Sequence, residues 1–241
     1  MDSRDQFPVE HGFRMRGAGM SRIDVFSDVV FAFSFVLLAV SLTAPKNLQA
    51  IHDYALGFVT FAICFAMILG GWFSHYVFFR RYGLQDRVTI VLNSCLLFLI
   101  LFCVYPLKFL YSTIFGYLIR NDFSARFAVA VQVMGMLAVY ALGFTILFFL
   151  IAALHWNAWR RRESLGLNGI ERLLTISSIV DALGLAAIGL IACLAALVLP
   201  STWTLYSAAV YLLLIPWKTL NGLYFGRKAR TLRKLVAAPI L

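Results

Sequence analysis

Ionisable and amide side chains are rare inside the long apolar segments of this chain, and their spacing allows three of them to meet. Asp28, His75 and Asn93 each lie five or six residues from an arginine that marks the end of an apolar segment. At about 1.5 Å per helical residue, all three lie roughly 8–9 Å from one membrane surface. Polar groups buried at one depth are stabilised by mutual hydrogen bonds. We therefore predict a network of these three side chains, supported at its outer end by Arg22 and Ser27.

A further carboxylate, Asp181, lies deeper, about nine residues beyond Arg172 and one turn after Ser177 and Ser178. A charged group at such a depth is costly in lipid and marks either a functional position or a paired one. Its side chain is therefore expected to face the helix bundle or a water-filled cavity. The sequence indicates no partner for it.

Patterns typical of catalysis or metal binding do not occur in the sequence. The four histidines are scattered over different depths, and neither H-E-x-x-H nor G-x-S-x-G is present. The four cysteines have no metal-ligand spacing and fall inside apolar segments, where a free thiol packs as a small hydrophobic group. An enzyme would need a cluster of nucleophilic, acid–base or metal-ligating groups. The sequence thus predicts a chain that is not an enzyme and has no cofactor.

The elements that position the polar residues are apolar helices. Of the 241 residues, 62% are hydrophobic and 13% are charged, whereas soluble domains are about 25% charged. Runs of about 20 apolar residues, enough to cross a bilayer, occur six times, at about 23–43, 54–79, 88–111, 127–154, 175–199 and 203–224. No strand alternation is visible, and helices satisfy their own backbone groups in lipid. We predict an all-α, polytopic membrane protein built as a six-transmembrane-helix bundle.

Basic residues are distributed unevenly between the two ends of these helices. All but four of the 21 lysines and arginines lie in the two terminal segments and in the second and fourth loops. Cytoplasmic segments are enriched in Lys and Arg, so both termini are predicted to be cytoplasmic. The net charge of +10 is explained in this way without nucleic acid. The predicted organisation is a cytoplasmic N-terminal segment (1–21), a transmembrane domain (22–226) and a basic cytoplasmic tail (227–241), which serves as a topology anchor or binds anionic lipid.

Three short motifs occur in order on the first three predicted helices: R-x-x-x-F-S-D, W-x-x-H and a segment that begins Leu-Asn and is followed by a proline. Their residues are Arg22, Phe26, Ser27, Asp28, Trp72, His75, Asn93 and Pro106. Together the motifs resemble the signature of the transmembrane protein 175 (TMEM175) family, in its short prokaryotic branch. The resemblance covers roughly residues 20–112.

The resemblance implies a potassium-selective channel of a prokaryotic cell membrane, with potassium ions and the lipid bilayer as its partners. It implies a homotetramer of six-helix subunits in which the first helix lines a central pore. It also implies that the polar motif residues tie helices one to three together. No T-V-G-Y-G filter segment occurs in the sequence, so selection would depend on side chains or on an apolar constriction.

The first helix carries an apolar stripe suited to such a constriction. Its members follow one another at alternating spacings of four and three, which is a heptad period, and they are Phe26, Val30, Phe33, Leu37 and Val40. At about 100° per residue, Asp28 faces away from this stripe. A second stripe, formed by Ser27, Ser34 and Ser41, would line a wetter pore or sit at close helix contacts.

The family resemblance places the constriction on Phe33, Leu37 and Val40, with Val36 at a neighbouring position that is sometimes threonine in the family. Phe33 stands where many members have an aliphatic residue. A ring of four phenylalanines would narrow the pore, and the missing threonine hydroxyl removes one ion ligand. Two other functions therefore stay open: a non-conducting scaffold derived from the channel fold, and a proton-coupled transporter that uses Asp28, His75 and Asp181 as a relay.

Overall fold

Six α-helices form most of the described structure, a computed structural model that covers residues 7–10, 12–17, 19–40, 50–120, 126–200 and 209–237. The helices are α1 (Arg22–Val40), α2 (Ala50–Tyr82), α3 (Arg87–Arg120), α4 (Arg126–Arg160), α5 (Gly169–Val198) and α6 (Leu214–Ala237). A 3₁₀ turn, Val210–Leu213, precedes α6. The first five helices are long and apolar enough to cross a membrane. The sixth predicted span, 203–224, lies partly outside the described residues and stays a prediction.

Several helices extend beyond the spans that hydropathy alone predicts. Helix α3 continues to Arg120 rather than ending near Tyr111, and α4 continues to Arg160 rather than Leu154. The helical backbone thus continues past the end of both predicted spans. Hydropathy therefore located the membrane-crossing part of each helix and not its full length.

The N-terminal segment adds one element to the all-α bundle, a small antiparallel hairpin. Strand β1 (Val9–Glu10) pairs with β2 (Phe13–Arg14). Gly12 lies in the turn with a φ of 84°, a conformation that a glycine adopts without strain. Phe13 is fully buried, edge-on to the Tyr82 ring at 5.4 Å. Two-residue strands are too short to show alternation, so the sequence carried no signal for them.

The chain after the hairpin runs along the end of α2. The backbone N–H of Gly17 donates to the carbonyl of Arg80 at 3.0 Å, and that of Arg16 donates to the carbonyl of Arg81 at 3.4 Å. A side chain at position 17 would overlap the carbonyl oxygen of Phe79. The close approach therefore requires a glycine there and holds the N-terminal segment against α2.

The N-terminal segment also contacts the loop between α4 and α5 and the end of α6. The guanidinium of Arg14 donates to the carbonyl of Gly166 at 2.6 Å. A side chain at Gly12 would overlap the guanidinium of Arg233. The N-terminal segment, the α2–α3 and α4–α5 loops and the end of α6 thus lie at one end of the bundle, which is also the end rich in arginine and lysine.

The core of the bundle is formed by large apolar side chains of α1 to α4. Its buried members include Phe31, Leu38, Phe78, Leu96 and Leu154. Helices α4, α5 and α6 approach one another at glycines, because a side chain at Gly189 would meet Thr145 and one at Gly184 would overlap Trp217. Small residues at such contacts let membrane helices pack closely.

Candidate pore helix and its polar anchors

A chain of neutral hydrogen bonds fixes one side of α1 to α2 and α3. His75 Nε2 and Asn93 Oδ1 are 2.8 Å apart, and Asn93 Nδ2 donates to Ser27 Oγ at 2.9 Å. Ser27 in turn donates to the carbonyl of Ile23 at 2.7 Å. All three side chains are buried. The structure thus brings together one predicted site residue from each of the first three helices.

Asp28 does not join this chain. Its Oδ1 accepts a hydrogen bond from Trp72 Nε1 at 2.8 Å, and the residue is exposed. Ser27 and Asp28 are one residue, about 100°, apart on the helix, so only Ser27 faces Asn93. Arg22 is exposed and, in the described part of the chain, forms no hydrogen bond with these groups. The predicted three-residue network is therefore split into two contacts that both anchor α1.

The buried face of α1 carries Ser27, Phe31, Ser34 and Leu38. The Phe31 ring lies edge-on to His75 with ring centroids 5.6 Å apart, and Ser34 donates to the carbonyl of Val30 at 2.9 Å. Because Ser27 and Ser34 are fully buried inside the subunit, a pore lined by the serine stripe is wrong for these two positions. Ser41, the third member, lies outside the described residues.

The opposite face of α1 is apolar and uncovered. Its large side chains are Phe26, Val29, Phe33, Val36 and Val40, between 53% and 75% exposed. They alternate three and four residues apart, so they form one heptad stripe. Leu37 and Val30, which the sequence placed on this stripe, are partly buried against the chain's own core. The exposed stripe therefore includes Phe33 and Val40 as predicted, with Val36 in place of Leu37.

Asp181, for which the sequence indicated no partner, lies against α6. Lys218 Nζ is 2.5 Å from Asp181 Oδ2, and Trp217 Nε1 donates to the Asp181 carbonyl at 3.3 Å. Pairing with an opposite charge lowers the cost of placing a carboxylate in an apolar helix. The opposite charges of Asp181 and Lys218, on two adjacent predicted spans, were the available sequence signal for this pair. The lengths of the loops did not show whether the two residues lie at the same depth in the membrane.

A charged cluster that the sequence analysis missed surrounds Glu171 at the start of α5. The fully buried carboxylate accepts hydrogen bonds from Arg14 Nη2 at 3.0 Å and from Arg16 Nη2 at 2.8 Å. It also accepts from the backbone N–H of Asn168 at 2.9 Å, while Asn168 Oδ1 accepts from the backbone N–H of Glu171. Asn168 and Glu171 form a capping box, and this spacing was the only sequence signal of the site.

A third carboxylate, Asp86, precedes α3 and links it to α4. Thr89 Oγ1 donates to it at 2.6 Å, Asn157 Nδ2 at 3.2 Å and Arg161 Nη2 at 3.0 Å. Partial burial raises the pKa of this carboxyl, but the Thr89 and Asn157 hydrogen bonds and the Arg161 charge outweigh it, so the pKa lies below its usual value. The ionised form is the one that this cluster stabilises.

The arrangement supports non-covalent chemistry. Within the described ranges, no three His, Cys, Asp or Glu side chains lie close enough together to hold a metal ion. His75 and the carboxylates of Asp28, Asp181, Glu171 and Asp86 each have a protein partner. The apolar heptad face of α1 is one candidate for function, and it lies opposite the side that Ser27 fixes to Asn93 of α3.

Comparison with known proteins agrees with this geometry. The family described as "Endosomal/lysosomal potassium channel TMEM175" matches residues 22–106, the part that carries the three motifs. A protein of Marivirga tractuosa named "Potassium channel" is 37% identical, with 91% of this chain and 93% of that protein covered.

Two crystal structures resemble the chain over most of its length. A variant of the potassium channel MtTMEM175, in complex with a nanobody–MBP fusion, is 33% identical with a TM-score of 0.77 and covers 91% of this chain and 99% of its own. A TMEM175 homologue from Chamaesiphon minutus shares the fold alone, at 22% identity and a TM-score of 0.54, with 83% and 96% covered. The motifs, the six-helix architecture and the full-length relative agree, and the chain belongs to the TMEM175 family.

Proposed function

We propose that this chain is a potassium-selective cation channel in which four copies assemble with α1 around a central pore, both termini facing the cytoplasm. The relatives named as potassium channels support the class of activity. The observation that carries the pore assignment is the uncovered heptad face of α1, from Phe26 to Val40. The other side of the same helix is fixed to α2 and α3 by the Ser27–Asn93–His75 chain.

The composition of this face suits contact with copies of itself. Heptad spacing is typical of helices that pack against their own copies. Ala32 and Ala39, also exposed, are seven residues apart and lie along one edge of the stripe. Small residues at this spacing let neighbouring helices approach closely.

We infer that Phe33, Val36 and Val40 form successive apolar rings, with Phe26 at the cytoplasmic mouth. Such rings offer no ligand oxygen, so an ion crosses them only by giving up part of its water shell. Potassium holds its water less tightly than sodium, and the constriction therefore favours potassium. Phe33 is the bulkiest side chain of the three and forms the narrowest ring. Leu37, which the family resemblance indicated, supports this face from within the subunit.

The contacts of the proposed proton relay argue against the transporter alternative. Asp28 bonds to Trp72, His75 to Asn93, and Asp181 to Lys218. In the described part of the chain, no hydrogen bond joins any two of the three relay residues. A proton would have no bonded path between them, whereas a pore needs none.

The proposal is tested by recording from purified protein in planar bilayers under opposing potassium and sodium gradients. We expect a reversal potential close to that of potassium and currents that do not saturate like a transport cycle. Phe33→Ala should raise conductance and weaken selectivity, because the narrowest ring is lost. Phe149→Ala, which removes an equally exposed ring on α4, is the matched control and should change neither.

Other outcomes would assign a different function. Saturable flux coupled to a proton gradient would identify a transporter. A correctly assembled protein that passes no current would identify a scaffold. An unchanged current in Phe33→Ala would keep the channel but place the constriction at Val36 or Val40, and a native mass other than that of four chains would overturn the tetramer.

A further inference from the structure

Helix α6 changes character along its length. Its first half exposes large apolar side chains, among them Ile215, Leu220 and Leu223. Its second half carries five basic residues between 227 and 234, and the whole helix contains no Asp or Glu. The change occurs at Tyr224, and tyrosine is enriched where the apolar core of a membrane meets the headgroups.

A shallow, open depression along one exposed side of α6, called the groove below, spans this boundary. It is lined by Leu220, Leu223, Tyr224, Arg227, Lys228 and Thr231. These positions are three, four, seven and eight residues apart, so they lie along one side of the helix. The groove is apolar at one end and cationic at the other, and about 12 Å of helix separates Leu220 from Lys228.

The two cations in the groove have no negative partner among the described residues. Arg227 and Lys228 are exposed, and neither forms an ion pair or side-chain hydrogen bond within the described residues. The neighbouring cations differ: Lys218 pairs with Asp181, Arg230 Nε donates to the carbonyl of Gly226, and Arg233 lies against Gly12. The groove therefore concentrates positive charge that no described residue neutralises.

We propose that this groove binds one anionic phospholipid. Arg227 and Lys228 hold the phosphate, Tyr224 lies beside the glycerol region, and an acyl chain runs along Leu220 and Leu223. A free anion would use only the cationic end, whereas the lipid matches both the charge and the apolar continuation. A topology anchor also places basic residues after an apolar span; a lipid site differs from it in requiring Arg227 and Lys228 specifically.

The position of the site connects it to the N-terminal hairpin. Arg233 lies six residues beyond Arg227 on α6 and packs against Gly12 in the hairpin turn. The hairpin leads directly into α1 through residues that are bonded to the end of α2. A bound lipid is therefore expected to steady α6 where it contacts the segment that precedes α1.

The test measures lipid retention by native mass spectrometry and lipid-dependent thermal stability of purified protein. Phosphatidylglycerol and phosphatidylcholine with identical acyl chains are titrated separately. We expect phosphatidylglycerol to bind preferentially and to raise the Tm. Arg227→Gln/Lys228→Gln should bind it roughly 30-fold more weakly, since a basic residue near anionic lipid contributes about 1 kcal/mol.

The matched control is Arg160→Gln/Arg230→Gln, which removes the same charge from exposed positions outside the groove. It should retain wild-type lipid binding. An equal loss in both double variants would show that only bulk charge matters and would overturn the site. Equal binding of the two lipids by the wild type would also overturn it.

A second variant tests the apolar end without touching the charges. Leu220→Asn should weaken phosphatidylglycerol binding while inorganic phosphate binding stays unchanged. If inorganic phosphate competes fully with the lipid and Leu220→Asn has no effect, the groove is a free-anion site and the lipid proposal fails. Each variant is compared only as the monodisperse species on size exclusion, so a folding defect is seen separately.

Discussion

Two polar clusters secure α1, and they are built on opposite principles. The membrane cluster, Ser27, His75 and Asn93, joins α1 to α2 and α3 through neutral side chains. The hairpin cluster, Arg14, Arg16 and Glu171, joins the segment before α1 to α5 through a buried carboxylate and two guanidinium groups. The first cluster holds α1 itself and the second holds the segment that leads into it, and neither occupies the apolar face of α1.

The difference follows from the solvent that each cluster would otherwise meet. Within lipid, an unpaired charge costs far more than an unpaired amide, so a neutral cluster is the safer anchor. At the end of the bundle, water is available while the protein folds, and a carboxylate that accepts several charge-assisted hydrogen bonds is strongly held. Loss of one partner therefore destabilises the protein more at the ionic cluster than at the neutral one, because it leaves an uncompensated charge.

The largest effect is expected from Glu171→Gln. The substitution removes the charge between two arginines, of which the Arg16 side chain is only 8% exposed. An uncompensated buried charge costs about 3–5 kcal/mol, so we expect a large fall in Tm of the detergent-purified protein. Glu163→Gln is the control, because the Glu163 side chain is 80% exposed and 3.7 Å from Arg162. That change should cost less than about 1 kcal/mol.

A small effect of Glu171→Gln, similar to that of the control, would mean that Arg14 and Arg16 find water or new acceptors. The hairpin would then be a loosely attached segment rather than an anchor. Limited proteolysis of the N-terminal segment distinguishes these outcomes, since a detached hairpin is cleaved faster than one bonded to α5.

An intermediate effect is expected from Asn93→Ala. The change leaves His75 Nε2 without its acceptor, which costs about 1–3 kcal/mol, while Ser27 Oγ loses one donor and keeps its hydrogen bond to the carbonyl of Ile23. Ser94→Ala is the neighbouring control, because Ser94 is exposed and donates only to the carbonyl of Ile90. Thermal unfolding and the yield of assembled protein measure both. If the two variants behave alike, the membrane cluster does not anchor α1.

The two clusters also differ in how far the sequence predicted them. Counting residues from the basic anchors brought His75 and Asn93 to one depth, because a helix converts sequence spacing directly into height. The rotation of α1 was less certain, so Asp28 was assigned to the wrong partner. Arg14 and Glu171 are 157 residues apart, and no periodicity relates a loop hairpin to a distant helix start. The family motifs predicted the helix bundle well, because each motif lies within one helix and a helix is determined by its local sequence.

Asp86 lies between the two clusters in type, since its carboxylate accepts from two neutral side chains, a backbone N–H and one exposed arginine. Its pKa is lowered below the ordinary value of 3.8 in the folded protein. The stabilisation is therefore fully present above pH 3.8 and is lost as the pH falls through the folded-state pKa, because protonation favours the unfolded chain. Asp86→Asn should have a lower Tm than the wild type at neutral pH.

The pH dependence of that difference tests whether the ionised carboxylate matters. The gap in Tm between wild type and Asp86→Asn should be constant between about pH 5 and pH 8 and should narrow below about pH 4. Arg161→Gln should produce a smaller gap, because Arg161 is largely exposed and Thr89 and Asn157 remain bonded to the carboxylate. A gap that persists unchanged at pH 3 would mean that Asp86 acts through hydrogen-bond geometry and not through its charge. The Asp86 contacts would then resemble the neutral membrane cluster and not the ionic hairpin cluster.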